Sequence, residues 1–184
     1  MGRDRGLMAG RAIVAVGLMG GLMGGLAGCA PADNEFAPAC PQAALLPGAG
    51  DVVRYRPNAA GRDLTDLEFR GRVVSVSGKC QPGPNSHTVD ATVKVTIQLN
   101  RGPALPTRNV AVTYFVAVAR GDDILDKHVY TNQVTFPANL DQIWLEGDPV
   151  FMRLPVTPTV SGAAYTVWVG FQLTPQEMAA SRGP

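Results

Sequence analysis

The chain has 184 residues, of which 46% are hydrophobic and 17% charged, with a net charge of +1. That length suits one domain with short flanking segments, and the near-neutral balance gives no overall electrostatic drive toward nucleic acid. Three cysteines and two histidines are present, in neither a C-x-x-C pair nor an H-E-x-x-H pattern, so a zinc-dependent chemistry has no sequence support.

Residues 1–28 read as an export signal outside the fold. Arg3, Arg5 and Arg11 form a basic start, and Ala12 to Gly28 is a mostly uncharged stretch rich in Ala, Val, Leu, Met and Gly. It is short and glycine-rich for a membrane span, which suits a cleaved signal better. Its end, Leu26-Ala27-Gly28-Cys29, resembles the lipobox of bacterial lipoproteins. There, small side chains let the signal peptidase bind extended backbone closely, and the cysteine thiol forms a thioether to diacylglycerol. The resemblance implies cleavage before Cys29, lipid on Cys29 and a membrane tether. It covers the signal alone and implies no activity. In Gram-negative lipoproteins an aspartate after the cysteine favours inner-membrane retention. Ala30 at that position implies the outer membrane, with the domain facing the periplasm.

Removing residues 1–28 leaves 156 residues carrying 13 basic and 14 acidic side chains, a net charge of −1. With Cys29 assigned to lipid, Cys40 and Cys80 remain. An oxidising periplasm makes an intramolecular disulfide the natural expectation, with zinc or a reactive thiol as the alternative. Residues 29–50 hold Pro31, Pro38, Pro41 and Pro47 and read as a tether.

From Asp51 the pattern turns to β. Asp51–Arg56 reads as a short strand, residues 57–68 as a loop or helical turn, and Phe69–Ser77 as the next strand. Gly78, Pro82, Gly83, Pro84 and Asn85 mark a long turn. Five arginines between Arg54 and Arg72 are interleaved with Asp63, Asp66 and Glu68, which predicts a mixed-charge surface over an anion site. Val89–Leu99 alternates strictly, apolar against polar, as a strand with one face on a core. Val110–Arg120 is apolar on both faces, as a central strand would be. Gly121-Asp122-Asp123 turns the chain into Ile124–Phe136. Gln142–Leu145, Val150–Leu154 and Tyr165–Leu173 complete the set, and residues 176–184 read as a flexible tail.

About seven strands between Pro/Gly turns, with no long amphipathic helix, predict an all-β fold over residues 51–175. An antiparallel immunoglobulin-like β-sandwich comes first and a small β-barrel is the alternative.

No catalytic site is evident. His87 lies in a turn and His128 in a strand, each reading as an exposed histidine. Ser161 before Gly162 is a turn signal without G-x-S-x-G. Asp122, Asp123 and Asp126 cluster near a hairpin, as calcium ligands can, but lack the D-x-[DN]-x-[DN]-G loop. Arg120-Gly121-Asp122 spells an integrin-binding tripeptide that short chance matches also produce. Among Trp144, Phe151, Tyr165, Trp168 and Phe171, most belong in the core. Trp168 alternates away from the main apolar face; exposed, it is the candidate partner contact, and the alternative is burial beneath a loop or neighbouring strand. No cofactor is implied. The leading expectation is a non-catalytic interaction or structural module tethered to the membrane, with an envelope protein as partner. The alternative is a small-ligand or glycan-binding lipoprotein.

Overall fold

The structure, a computed structural model, describes residues 39–57, 59, 63–84 and 87–181. The signal segment, Cys29, Ala30 and Asn85 lie outside these residues. Nine strands are described: β1 (Gln42–Leu45), β2 (Asp51–Tyr55), β3 (Leu67–Pro82), β4 (Thr88–Arg101), β5 (Asn109–Arg120), β6 (Asp123–Thr135), β7 (Gln142–Glu146), β8 (Val150–Pro155) and β9 (Tyr165–Phe171). One helix, α1 (Pro175–Ser181), follows.

They form the two-sheet antiparallel sandwich that the strand spacing predicts, immunoglobulin-like in its layering. One sheet runs β1-β9-β5-β6, and the other runs β2-β3-β4 and ends in β7 and β8, which share the far side of β4. The inner row of β4 supplies Val93, Val95, Ile97 and Leu99, all essentially buried. Val112, Tyr114 and Val116 of β5 and Val167, Val169 and Phe171 of β9 join them in one core. Each such aliphatic side chain contributes about 1.5–3 kcal/mol by leaving water. The period-2 pattern of β4 is therefore what sets its register: a one-residue slip would expose the whole row. Val110–Arg120 is buried on both faces from Tyr114 to Ala119, as its composition predicts.

The β5–β6 hairpin closes over Gly121, whose φ of 60° is a left-handed conformation that glycine adopts without a Cβ clash. Between β7 and β8 the edge breaks at Gly147, whose N–H donates to the Val95 carbonyl at 2.9 Å. A side chain there would run into the Tyr114 hydroxyl, so the break needs glycine.

Three sequence boundaries are corrected. The 29–50 segment is not all tether, because Gln42–Leu45 pairs in parallel with Thr166–Val169. The four residues carry no β pattern of their own, and the strand exists because β9 offers a free edge. Gly78 does not start a turn. β3 runs through it, with Gly78 opposite Val93 and Cys80 opposite Ala91. The 176–184 segment is not all flexible tail, because Pro175–Ser181 is helical. Thr174 and Glu177 form a reciprocal cap: Glu177 N–H donates to Thr174 Oγ1 at 3.2 Å, and Thr174 N–H donates to Glu177 Oε2 at 2.9 Å. Pro175 occupies the first helical position, where its missing N–H costs nothing.

Cys40 and Cys80 form a disulfide, with Cα atoms 6.1 Å apart and a sequence separation of 40. It joins the start of the first sheet to the far end of β3.

Candidate functional site

The two lateral sides of the sandwich are built differently. On the β1/β2 side the sheets are stitched together. The Ala49 carbonyl accepts the Phe171 N–H at 2.7 Å, and the Gly50 carbonyl accepts the Val73 N–H at 2.9 Å, so one loop bonds to both sheets. Arg54 Nε on β2 donates to Glu177 Oε1 at 2.8 Å, and its guanidinium lies 4.6 Å from the Phe69 ring centre. Arg56 pairs with Asp66, and Arg72 with Asp51 at 2.6 Å. The arginine-rich stretch is thus paired with carboxylates at these positions, as the interleaved charges predict.

On the other side, β6 and the β7/β8 edge make no strand pairing with each other. β6 is thirteen residues long, borders only β5 among the described residues, and is exposed over most of its length. Ile124, Leu125 and Val129 are large apolar side chains left in water there, with Val129 52% exposed. Long, unpaired apolar edges are normally blunted by charge, proline or short length. β6 carries Lys127, the inward Asp126 and a bulge at Leu125, but no proline, and it keeps its thirteen-residue length.

Below this edge the sheets diverge around a groove of about 370 Å³. Its floor is apolar: Val116, Val118, Met152, Leu154 and Tyr165. The Tyr165 hydroxyl is satisfied by donating to the Pro155 carbonyl at 2.5 Å. At the mouth, Asp126 and His128 stand opposite Val118 and Val116, on the inward face of β6. Core side chains would occupy those positions in a closed sandwich. Asp126 Oδ2 and His128 Nε2 are 2.9 Å apart, and both side chains are largely exposed. Arg153 sits beside the groove, on the outer face of β8. It holds Asp90 through two bonds of 2.7 and 2.9 Å. That contact keeps the Asp90 carboxyl below its usual range, against the opposing effect of burial.

The other residues singled out by sequence fall as follows. His87 is exposed in the turn before β4, and Ser161 is exposed at the head of a 3-10 turn. Arg120, Gly121 and Asp122 are exposed at the β5–β6 hairpin. Among the described residues no three His, Cys, Asp or Glu side chains converge as a metal site requires. No Ser, Thr or Cys lines the groove beside His128, and the Tyr165 hydroxyl in its floor is engaged with the Pro155 carbonyl.

Trp168 does not stand free. It is half-buried, packed with Ala49, Phe115 and Ala117 on the outer face of the first sheet. The loop carrying Ala49 covers it, and Lys127 Nζ lies 4.4 Å from the adjacent Phe115 ring centre. The exposed aromatics are Trp144 at 61% and Phe151 at 59%, opposite Gln98 and Thr92 on the outer face of the second sheet. The expectation that most of the five aromatics belong in the core does not hold for these two. Their own strands carry the contrary signal: Trp144 alternates with Ile143 and Leu145, and Phe151 with Val150 and Met152.

The chain matches no protein-family model, no curated protein and no solved structure.

Proposed function

We propose that this chain is a lipid-anchored protein of the bacterial envelope, tethered through Cys29 in the outer membrane and facing the periplasm. Its β-sandwich serves as a non-catalytic interaction module. The observation that carries the interaction role is the β6 edge: a thirteen-residue strand on which alternate residues turn N–H and C=O groups outward, with exposed apolar side chains. Such an edge gives affinity through main-chain bonds and specificity through alternate side chains. A tether would add to this by concentrating the module along the membrane surface.

The test has two parts, both in intact cells with the full chain. Cys29→Ala should abolish lipid labelling and release the domain from membranes; retained labelling would sink the anchor. A photo-crosslinking residue at Val129 should give discrete adducts, whereas the same residue at Arg72, beside the stitched edge, should give few. Matching adduct patterns at the two positions would sink the β6 role.

A second reading, small-ligand or glycan binding, draws on the apolar groove beneath β6 and on Trp144 and Phe151. Its mark would be a melting temperature that rises with an amphiphile or oligosaccharide and no longer does so after Met152→Arg.

A further inference from the structure

The β6 edge fits a strand of particular chemistry, its own. We propose that β6 pairs antiparallel with β6 of a second copy of this chain, with Val129 on the two-fold axis, making one continuous sheet across two molecules. The proposal rests on the reading of β6 as an interaction edge and names its partner.

The first argument is the direction of the backbone groups. Gln172 N–H donates to the Thr113 carbonyl, so Thr113 turns its polar backbone toward β9 and away from β6. By alternation Tyr114, opposite Tyr130, bonds toward β6. Hence Tyr130 and His128 bond inward to β5, while Lys127, Val129 and Thr131 present N–H and C=O groups outward. The dyad at Val129 then falls on a residue whose polar backbone is free to exchange two hydrogen bonds with its twin.

The second argument is register. In a continuous sheet, opposing residues share a face, so the axis must pass through a residue position. An axis at Asp126 or Lys127 sets like charges against each other at the centre, and one at His128 sets imidazole against imidazole. An axis at Val129 opposes Lys127 with Thr131, His128 with Tyr130 and Asp126 with Asn132. No like charges meet. This register alone overlaps the strand from Asp123 to Thr135, interrupted only at the Leu125 bulge. It also sets the exposed Val129 against its twin, whereas an axis at Tyr130 sets Val129 against Thr131. Apolar cross-strand pairs at such positions are favourable, and like charges directly opposite are not.

The third argument concerns what else could fill the edge. The other three edges are already managed. β1 is four residues long, β2 lies under α1 through the Arg54–Glu177 contact, and β7/β8 is broken at Gly147 with Pro149 two residues on. β6 keeps its full length, and it is a good complement to itself.

The experiment uses the full chain, extracted in mild detergent. Light scattering should give twice the protein mass of one chain, and Val129→Lys, which sets two ammonium groups on the axis, should give one. In the same preparation Val129→Cys should crosslink on mild oxidation. Twinned Cα atoms at a hydrogen-bonded pair lie about 5.5 Å apart, within disulfide reach. Thr131→Cys should crosslink about tenfold less, because its twins would be separated by about 14 Å along the strand. Equal crosslinking at the two positions overturns the proposal, because a fixed axis must separate them. A monomeric wild type also overturns it, and needs no variant to fold. If Val129 captures a different envelope protein and never its twin, the interaction-edge reading stands and the second-copy partner falls. If Val129 captures nothing, both fall.

Discussion

The two lateral sides of this sandwich solve the same problem in opposite ways. Every open sheet ends in strands with unpaired backbone groups. On the β1/β2 side those ends are clamped by a disulfide, by a loop bonded to both sheets, and by a capped helix whose buried glutamate grips β2. On the β6 side a longer edge is left bare above a groove, with Asp126 and His128 where core residues would close the seam. The contrast shows where stability is concentrated and where it is not. Holding one side closed with covalent and ionic contacts lets the other remain available without loosening the core between them, and binding surfaces tend to come from such less-stabilised regions.

The largest way to break the contrast is to open the closed side. Cys40→Ala with Cys80→Ala should cost about 4 kcal/mol, since the disulfide spans 40 residues and cross-links that length in the unfolded chain. Urea unfolding of the oxidised protein and the double variant gives the difference directly. A loss under about 1 kcal/mol would mean that the loop and helix hold this side without the covalent link.

How much of this was legible beforehand follows from how local each signal is. The inner row of β4 was plain in the sequence, because period-2 alternation is written into neighbouring residues and needs no partner to be read. The Cys40–Cys80 pair was legible through chemistry, once Cys29 was set aside. β1 was not. Gln42-Ala43-Ala44-Leu45 has no strand pattern, and its state is decided by β9, far along the chain. Trp168 was legible only as a choice between exposure and cover: its alternation points away from the core, and the loop at Ala49, far along the chain, decides for cover. The exposed β6 edge was hidden too, because edge position is a property of the sheet order and not of the strand. The helix was legible and missed. Thr174-Pro175-Gln176-Glu177 is a capping box with proline at the first helical position, readable without any structure.

That capping box supplies the next test. Glu177 is almost wholly buried and does two things: one carboxylate oxygen accepts from Thr174 N–H and the other from Arg54. Glu177→Ala removes the carboxylate half of the reciprocal cap and leaves Arg54 without its carboxylate partner. Because Arg54 is about a third exposed, water recovers part of the lost charge interaction, and the expected cost is about 2 kcal/mol. Glu177→Gln keeps an oxygen for the cap and should lose roughly half as much. Thermal unfolding of both variants separates the two contributions. Equal losses would assign the whole effect to the Arg54 contact.

The smallest effect lies on the open side, and it is read from pH. β8 is held to β4 on the outer face by Arg153 and Asp90, a clamp at the rim of the groove. The hydrogen bond from Arg153 is the main reason that Asp90 titrates below its usual value of 3.8, with burial opposing and the charge of Arg153 adding to the shift. A carboxyl that binds its proton less readily in the folded state stabilises the fold when ionised. The contribution is therefore complete above the ordinary aspartate range, and it fades as pH falls through the depressed value. Asp90→Asn removes that titration. The stability gap between wild type and Asp90→Asn should be widest at neutral pH and narrow steadily toward strong acid, as measured by urea midpoints across the series. A gap that stays constant with pH would mean that the clamp acts through shape and neutral hydrogen bonds. The open side would then differ from the closed side in kind, holding β8 without any charge that acid could release.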